Sequence, residues 1–354
     1  MKKRNVCVLF GGMSPEHEVS LRSAEYVLEN LDPEKYNVFP VGITKEGDWV
    51  LYTGGDYSKL PTEEWMEYPK NRRAAISPVR GQGLLSFEGD CVVREQVDVV
   101  FPVLHGPNGE DGTIQGLLEL SRIPFVGPGV LASAAGMDKE RTKNLAVAGG
   151  IPVGEQAVLA EGEELADSDR GRLGLPVFVK PARGGSSIGI SKVDSWEEFP
   201  AALELARAHD SKVIVEKGIV GAEVECGVLQ RPDGELVASA PAQLAGTEDS
   251  DEGFYGFDTK YLDDVVTAQI PAQLPAETIA QVQELSKLAF RSIGCDGLTR
   301  VDFFVTADGP VLNEVNTMPG FTPISMYPQM FAASGVTYPE LLDTLVQRAL
   351  VARR

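Results

Sequence analysis

The chain opens on an unbroken apolar run, Val6 to Phe10, that ends in Gly11-Gly12. Such a run closed by glycines predicts a strand of a parallel sheet, buried on both faces. From Ser20 the period changes. Leu21, Ala24, Val27, Leu28 and Leu31 recur at helical spacing, and a second strand follows from Tyr36 to Ile43. The opening therefore reads as a βαβ unit with a glycine-rich turn after its first strand. Thr44 to Glu95 is polar and turn-rich, which predicts an insertion with short strands. VDVVFPVLHG (Val97–Gly106) is a further buried strand ending in a loop, and GEDGTIQGLLELSRIPFVGPG (Gly109–Gly129) gives a short helix that closes a first α/β domain.

A helix from Met137 to about Gly149 begins the next unit. LPVFVKPARGGSSIGISKV (Leu175–Val193) reads strand, glycine-rich loop, strand, and VIVEKGI (Val213–Ile219) is one more strand. Gln243 to Asp264 is long, acidic and aromatic-bearing. A helix from Ala276 to Ile293, a hairpin and a last helix from Pro339 to Ala349 complete the pattern.

The hairpin, RVDFFVTADGPVLNEVN (Arg300–Asn316), carries Asp302, Glu314 and Asn316 among apolar residues. Alternation puts Arg300, Asp302 and Phe304 on one face, and Leu312, Glu314 and Asn316 on one face of the next strand. A three-residue Ala-Asp-Gly loop with Gly309 left-handed would pair Thr306 with Pro310, Asp302 with Glu314 and Arg300 with Asn316. Opposed carboxylates at about 4 Å repel by about 4 kcal/mol at an effective dielectric of about 20. A divalent cation offsets this best, and two carboxylates with an amide suit Mg²⁺. On its own the stretch fits a surface hairpin with solvated acids equally well.

KPARGGSSIG (Lys180–Gly189) places a lysine at a strand end before Gly184, Gly185, Ser186, Ser187 and Gly189. Glycines let backbone N–H groups approach an anion, and Lys180 can neutralise a phosphate; a flexible hairpin tip is the plain alternative. No Walker loop occurs, and no dinucleotide fingerprint follows the first strand. Glu216 and Lys217 at a strand end could read an adenine edge, and Lys139 could be a second phosphate-directed cation or a solvated helix residue.

The 354 residues suggest two or three domains. A net charge of −20 argues against binding nucleic acid or an anionic membrane without local basic clusters or metal ions. The scattered cysteines Cys7, Cys91, Cys226 and Cys295 fit free thiols in a reducing compartment. MKKRN resembles a signal-peptide start, but the apolar run behind it is too short, and no stretch has transmembrane length, so we expect a cytoplasmic protein.

Two separated lysines, a Gly/Ser loop, a strand-end Glu-Lys and an Asp…Glu-x-Asn hairpin, in this order, resemble the ATP-grasp superfamily. GGMSPEHEVSLRSA (Gly11–Ala24), HGPNGEDGTIQGLLEL (His105–Leu120), GMDKERTK (Gly136–Lys143), DTKYL (Asp258–Leu262) and NEVNTMPGFTPISMYP (Asn313–Pro328) narrow the resemblance to the D-alanine–D-alanine ligase family, over nearly the whole chain. It implies α/β and α+β architecture in a three-domain ATP-grasp arrangement. A Rossmann-like parallel-sheet domain would span residues 1–129, a central subdomain 130–217, and a C-terminal subdomain 218–354 with a lid at 246–261.

The resemblance also implies an activity. ATP would activate one D-alanine as an acyl phosphate, the amine of a second would displace phosphate, and the dipeptide would serve peptidoglycan synthesis. It assigns Glu16 to the first ammonium, with Ser186 and Tyr261 completing a hydrogen-bonded group. It sets His105 near the second substrate, Arg300 and the Gly320 N–H on the oxyanion, and Ser325 and Met326 on the second carboxylate. Lys139, Lys180, Lys260 and Arg300 would face the phosphates, and Asp302, Glu314 and Asn316 two Mg²⁺ ions, for which Mn²⁺ can substitute. Phe178, Phe304 and Ile219 would wall the adenine slot beside Glu216 and Lys217, Glu223 would take the ribose hydroxyls, and Asn313 would lie on the nucleotide side. The partners implied are D-alanine, ATP and a second copy of the chain, with neither nucleic acid nor membrane.

Each assignment has a plainer rival. Glu16 could serve the helix dipole, His105 could cap a loop, and Tyr261, Met326 and Phe304 could be packing residues. A D-alanine–D-lactate or D-alanine–D-serine ligase on the same scaffold is the closest functional rival, against which Lys260-Tyr261 speaks. Another carboxylate–amine ligase and a non-catalytic nucleotide-binding protein are more distant ones.

Overall fold

A computed structural model describes residues 2–245 and 267–352. The first sheet contains β1 (Arg4–Gly11), β2 (Tyr36–Ile43), β3 (Trp49–Leu51), β4 (Arg72–Ile76), β5 (Leu84–Glu88), β6 (Cys91–Glu95) and β7 (Val99–Val103). Its order is β6-β5-β4-β3-β2-β1-β7. Only β2, β1 and β7 are parallel. The expected insertion extends the sheet as antiparallel strands, because its short turns cannot make the crossover that a parallel neighbour needs. Helix α1 (His17–Asn30) crosses over β1 and buries Leu21, Ala24, Val27 and Leu28, as its spacing predicts.

The turn after β1 depends on Gly11. Its φ is +84°, and a Cβ there would sit 2.2 Å from the Ile43 carbonyl oxygen, which accepts the Gly12 N–H at 2.8 Å.

Helices α2 (Thr113–Ser121), α3 (Val130–Met137) and α4 (Lys139–Ala148) lead into the second sheet. The helix expected from Met137 starts two residues later. Asp138 is extended, and its side chain caps α4 by accepting the Arg141 N–H. The second sheet is antiparallel, in the order β10-β9-β11-β8. Its strands are β8 (Gln156–Leu159), β9 (Val177–Pro181), β10 (Ser191–Val193) and β11 (Val213–Lys217).

The third sheet holds β12 (Ala222–Gln230), β13 (Leu236–Ala238), β14 (Ala242–Ala245), β15 (Thr267–Gln269), β16 (Leu298–Thr306) and β17 (Gly309–Asn316). One face packs Val224, Cys226, Val301, Phe303, Leu312 and Val315 against Ala146 of α4 and the helix Ala276–Ile293. The other face carries the charged residues.

The hairpin differs from its expected form. Thr306 pairs with Gly309, so the loop has two residues, Ala307 and Asp308, instead of three. The ladder then runs one residue out of phase until a bulge between Asp302 and Phe303 restores it. Asp302 does face Glu314, and Arg300 faces Asn316. Leu312 does not share their face; it joins Phe303 and Val315 in the core.

Gly11→Ala should destabilise the protein by about 1–3 kcal/mol through strain at positive φ and collision with backbone. Denaturant unfolding would check it, and an unchanged midpoint would contradict this account of the turn.

Candidate active site

Three strands build the charged face of the third sheet. Glu223 lies opposite Phe304 and Glu225 opposite Asp302 across β12 and β16, and Asp302 opposite Glu314 across β16 and β17. Arg300 offsets the repulsion between these acids. Its Nε and Nη2 donate to the two oxygens of Asp302 at 2.8 and 2.7 Å, and Nε lies 3.1 Å from Glu225. Asn316 donates to Asp302 at 2.9 Å. Burial alone would lower the Arg300 pKa, but Asp302 and Glu225 hold it well above the usual value.

A second cluster forms where the loops after β1 and β7 meet the loop after β9. Glu16 is 8% exposed and accepts a hydrogen bond from the Ser186 hydroxyl. Gly106 and Gly185 press against its carboxylate; a Cβ on either would come within 2.5 and 2.8 Å of Glu16 Oε2. Ser186 and Ser187 are both left-handed, at φ 51° and 58°, which turns the loop back over Glu16.

His105 is buried, with Nδ1 3.2 Å from the Met318 carbonyl oxygen and Nε2 3.3 Å from the Ser23 hydroxyl. A carbonyl only accepts, so Nδ1 carries the proton and Nε2 the lone pair. Burial pulls the His105 pKa below its ordinary value, which favours this neutral form. Glu110 holds the neighbouring backbone, accepting the Gly106 N–H at 2.8 Å and the Met318 N–H at 3.1 Å. Burial, then the charge of Glu16, pushes its pKa up to about 8.

On the second sheet, Phe178, Lys180 and Glu216 share a face, Glu216 pairing with Phe178 across β11 and β9. Lys180 and Lys143 bind separate oxygens of Glu216. Burial would raise the Glu216 pKa, but the two ammoniums more than offset it and hold it at about 2. Lys139 reaches across to the Gly184 carbonyl at 2.8 Å. The exposed Lys217 side chain lies 3.6 Å from Glu155, and Ile219 lies over Gly154.

One cavity of about 740 Å³ gathers Glu16, His105, Lys139, Ser186, Arg300, Glu314, Asn316, Gly320, Ser325 and Met326. Ser325 caps no helix N–H of its own helix, Met326–Ala333; its hydroxyl instead accepts the Thr322 N–H at 3.0 Å. Phe178, Lys180, Glu216, Lys217, Ile219, Glu223, Phe304 and Asn313 do not line this cavity. Neither does Asp302, whose carboxylate is bound by Arg300. Phe304 is partly exposed and is therefore not ordinary core. Lys260, Tyr261 and the lid expected at 246–261 lie outside the described residues.

Sequence reasoning passed over Glu110, Glu225 and Lys143. Each had a local signal: Glu110 lies in the GEDG loop, Glu225 alternates with Glu223, and Lys143 follows Lys139 by one helical turn.

Comparison with known proteins bears on this arrangement. A family profile described as D-ala D-ala ligase N-terminus matches residues 5–128, and one described as D-ala D-ala ligase C-terminus matches 141–347. The chain is 60% identical to a D-alanine–D-alanine ligase of Corynebacterium efficiens, over 98% of this chain and 97% of that one. It is 53% identical to one of Mycolicibacterium smegmatis, over 98% and 96%. Among solved structures, the VanG D-Ala:D-Ser ligase of Enterococcus faecalis superposes with a TM-score of 0.87 at 39% identity, covering 98% of this chain and 100% of that one. The D-alanine–D-alanine ligase of Coxiella burnetii gives 0.87 at 33%, covering 100% and 95%. That of Bacillus anthracis complexed with ATP gives 0.74 at 27%, covering 99% and 98%.

Glu110 makes the site's electrostatics measurable. Its pKa of about 8 lies above the ordinary glutamate value of 4.5. Between those values the folded protein keeps a proton that the unfolded chain releases, so this group lowers stability as pH rises. Glu110→Gln should therefore flatten the fall in unfolding free energy from about pH 5 to about pH 8. Parallel pH profiles for the two proteins would contradict the assignment.

Proposed function

Because the chain belongs to the D-alanine–D-alanine ligase family, we propose that this cavity joins two D-alanine molecules at the expense of ATP, for peptidoglycan precursor synthesis. The convergence of Glu16, His105, Lys139 and Arg300 on that cavity carries the reading. Glu16 is the counter-ion for the ammonium of the first D-alanine, whose carboxylate then points toward Lys139 and Arg300. A carboxylate oxygen attacks the γ-phosphorus, the bond to the β-phosphate oxygen breaks, and ADP leaves an acyl phosphate.

The amine of the second D-alanine attacks the acyl carbon after losing a proton, since an ammonium has no free pair. Neutral His105 is placed to aid that loss. The C–O bond to phosphate then breaks and the peptide bond remains. Arg300 and the Gly320 N–H face the oxyanion that forms in between. A side chain at Gly320 would crowd Ser325, since a Cβ there would lie 2.6 Å from Oγ. Ser325 and Met326 open a helix whose N-terminus favours the second carboxylate.

Asp302, Glu314 and Asn316 offer only hard oxygen donors on one sheet face, which fits Mg²⁺. Bound there, two Mg²⁺ ions would neutralise phosphate charge. Lys180, Glu216, Lys217 and Glu223, with Phe178, Ile219 and Phe304, are read as the nucleotide side, beyond the cavity. Among the described residues no helix is long and apolar enough to cross a membrane. We read the enzyme as a cytoplasmic homodimer, as the family resemblance implies.

A phosphate-release assay with ATP and Mg²⁺, with products identified by mass, tests the reaction. D-alanine alone should give dialanine, and L-alanine should give nothing. Product only when D-serine or D-lactate is added would move the chain to the other ligase type, represented by the D-Ala:D-Ser neighbour. Asp302→Ala should keep the fold, since Glu225 still pairs Arg300, and lose about 100-fold or more in kcat. Wild-type turnover at saturating Mg²⁺ would remove Asp302 from the cation site.

A further inference from the structure

Lys143 has no part in the chemistry above, yet it is one of the most deeply buried charges described, at 2% exposure. An isolated ammonium in such a place is strongly disfavoured. It lies on α4, one turn beyond Lys139, and binds Glu216 Oε1, while Lys180 binds Oε2. The two lysines have different futures when a nucleotide arrives. On the reading above, Lys180 is drawn to phosphate. Oε2 then loses its partner near the end of β11, where Glu216 pairs with Phe178 of β9. Lys143 sits on the opposite oxygen and keeps its bond. Without it Glu216 would be a buried carboxylate with no cation, and burial would drive it to take up a proton.

We propose that Lys143 is a specificity-determining positioning residue: it keeps Glu216 ionised and aimed so that Oε2 accepts an N–H from a 6-amino purine and repels a 6-keto purine. This rests on Glu216 facing the nucleobase. An ionised carboxylate is acceptor-only and therefore discriminates an amino group from a carbonyl oxygen; a protonated one can donate to the carbonyl and discriminates little.

The test compares kcat/KM for ATP with that for inosine triphosphate in the wild type, Lys143→Met, Glu216→Gln and the double variant. A hydrogen bond to a charged group accounts for about 10- to 100-fold in preference. Lys143→Met should lower the ATP preference about tenfold or more, mainly through KM for ATP, and should lower it no further when Glu216 is already Gln. Thermal unfolding checks each variant. Should Lys143→Met not fold, Lys143→Gln keeps a neutral donor to Oε1 and is held to the same threshold.

Equal losses with both nucleotides would make Lys143 merely structural and overturn the inference. So would an unchanged preference in Lys143→Met where Glu216→Gln loses it. An unchanged preference in Glu216→Gln would overturn the nucleobase reading itself, and this inference with it.

Discussion

Charge withdrawn from water has to be paired, and that constraint shapes the site. Asp302 and Glu225 lie on adjacent strands with almost no solvent contact. They are tolerable because Arg300, on the same face, binds both. Glu216 is held in the same way between Lys143 and Lys180. In each place the pairing fixes the carboxylates, ionised, on one sheet face until a ligand draws one cation, Arg300 or Lys180, away. The apolar face of the third sheet, packed on helices, makes that rigidity possible.

The elements with a strong period were legible in the sequence: β1, α1, β2 and the helix Ala276–Ile293. The hairpin shows where legibility ends. A three-residue loop, and a two-residue loop followed by a bulge, both bring Asp302 opposite Glu314. Spacing alone cannot separate them, and only the burial of Leu312 on the other face does. Strand β12 escaped notice because its inward residues, Val224, Cys226 and Val228, alternate with Glu223, Glu225 and Gly227. A strand with acids on one face reads as a surface strand until the opposing Arg300 is known.

The site was legible to the extent that its residues sit in compact motifs. Glu16, His105, Ser186 and Arg300 come from four distant stretches, yet they converge on one cavity. Glu110 was missed because its work is done on backbone N–H groups, Gly106 and Met318, that no residue pattern reveals. Lys143 was missed because a lysine on a helix normally points to solvent, and only the packing of α4 makes it a buried partner.

A crystal structure with a non-hydrolysable ATP analogue and Mg²⁺ tests the central claim most directly, namely that the charged face of the third sheet is the cation and phosphate site. The account predicts a cation bonded to Asp302, Glu314 and Asn316, with the Arg300 guanidinium turned from Asp302 toward the cavity. A cation and phosphates bound elsewhere, with Arg300 still bidentate on Asp302, would contradict it.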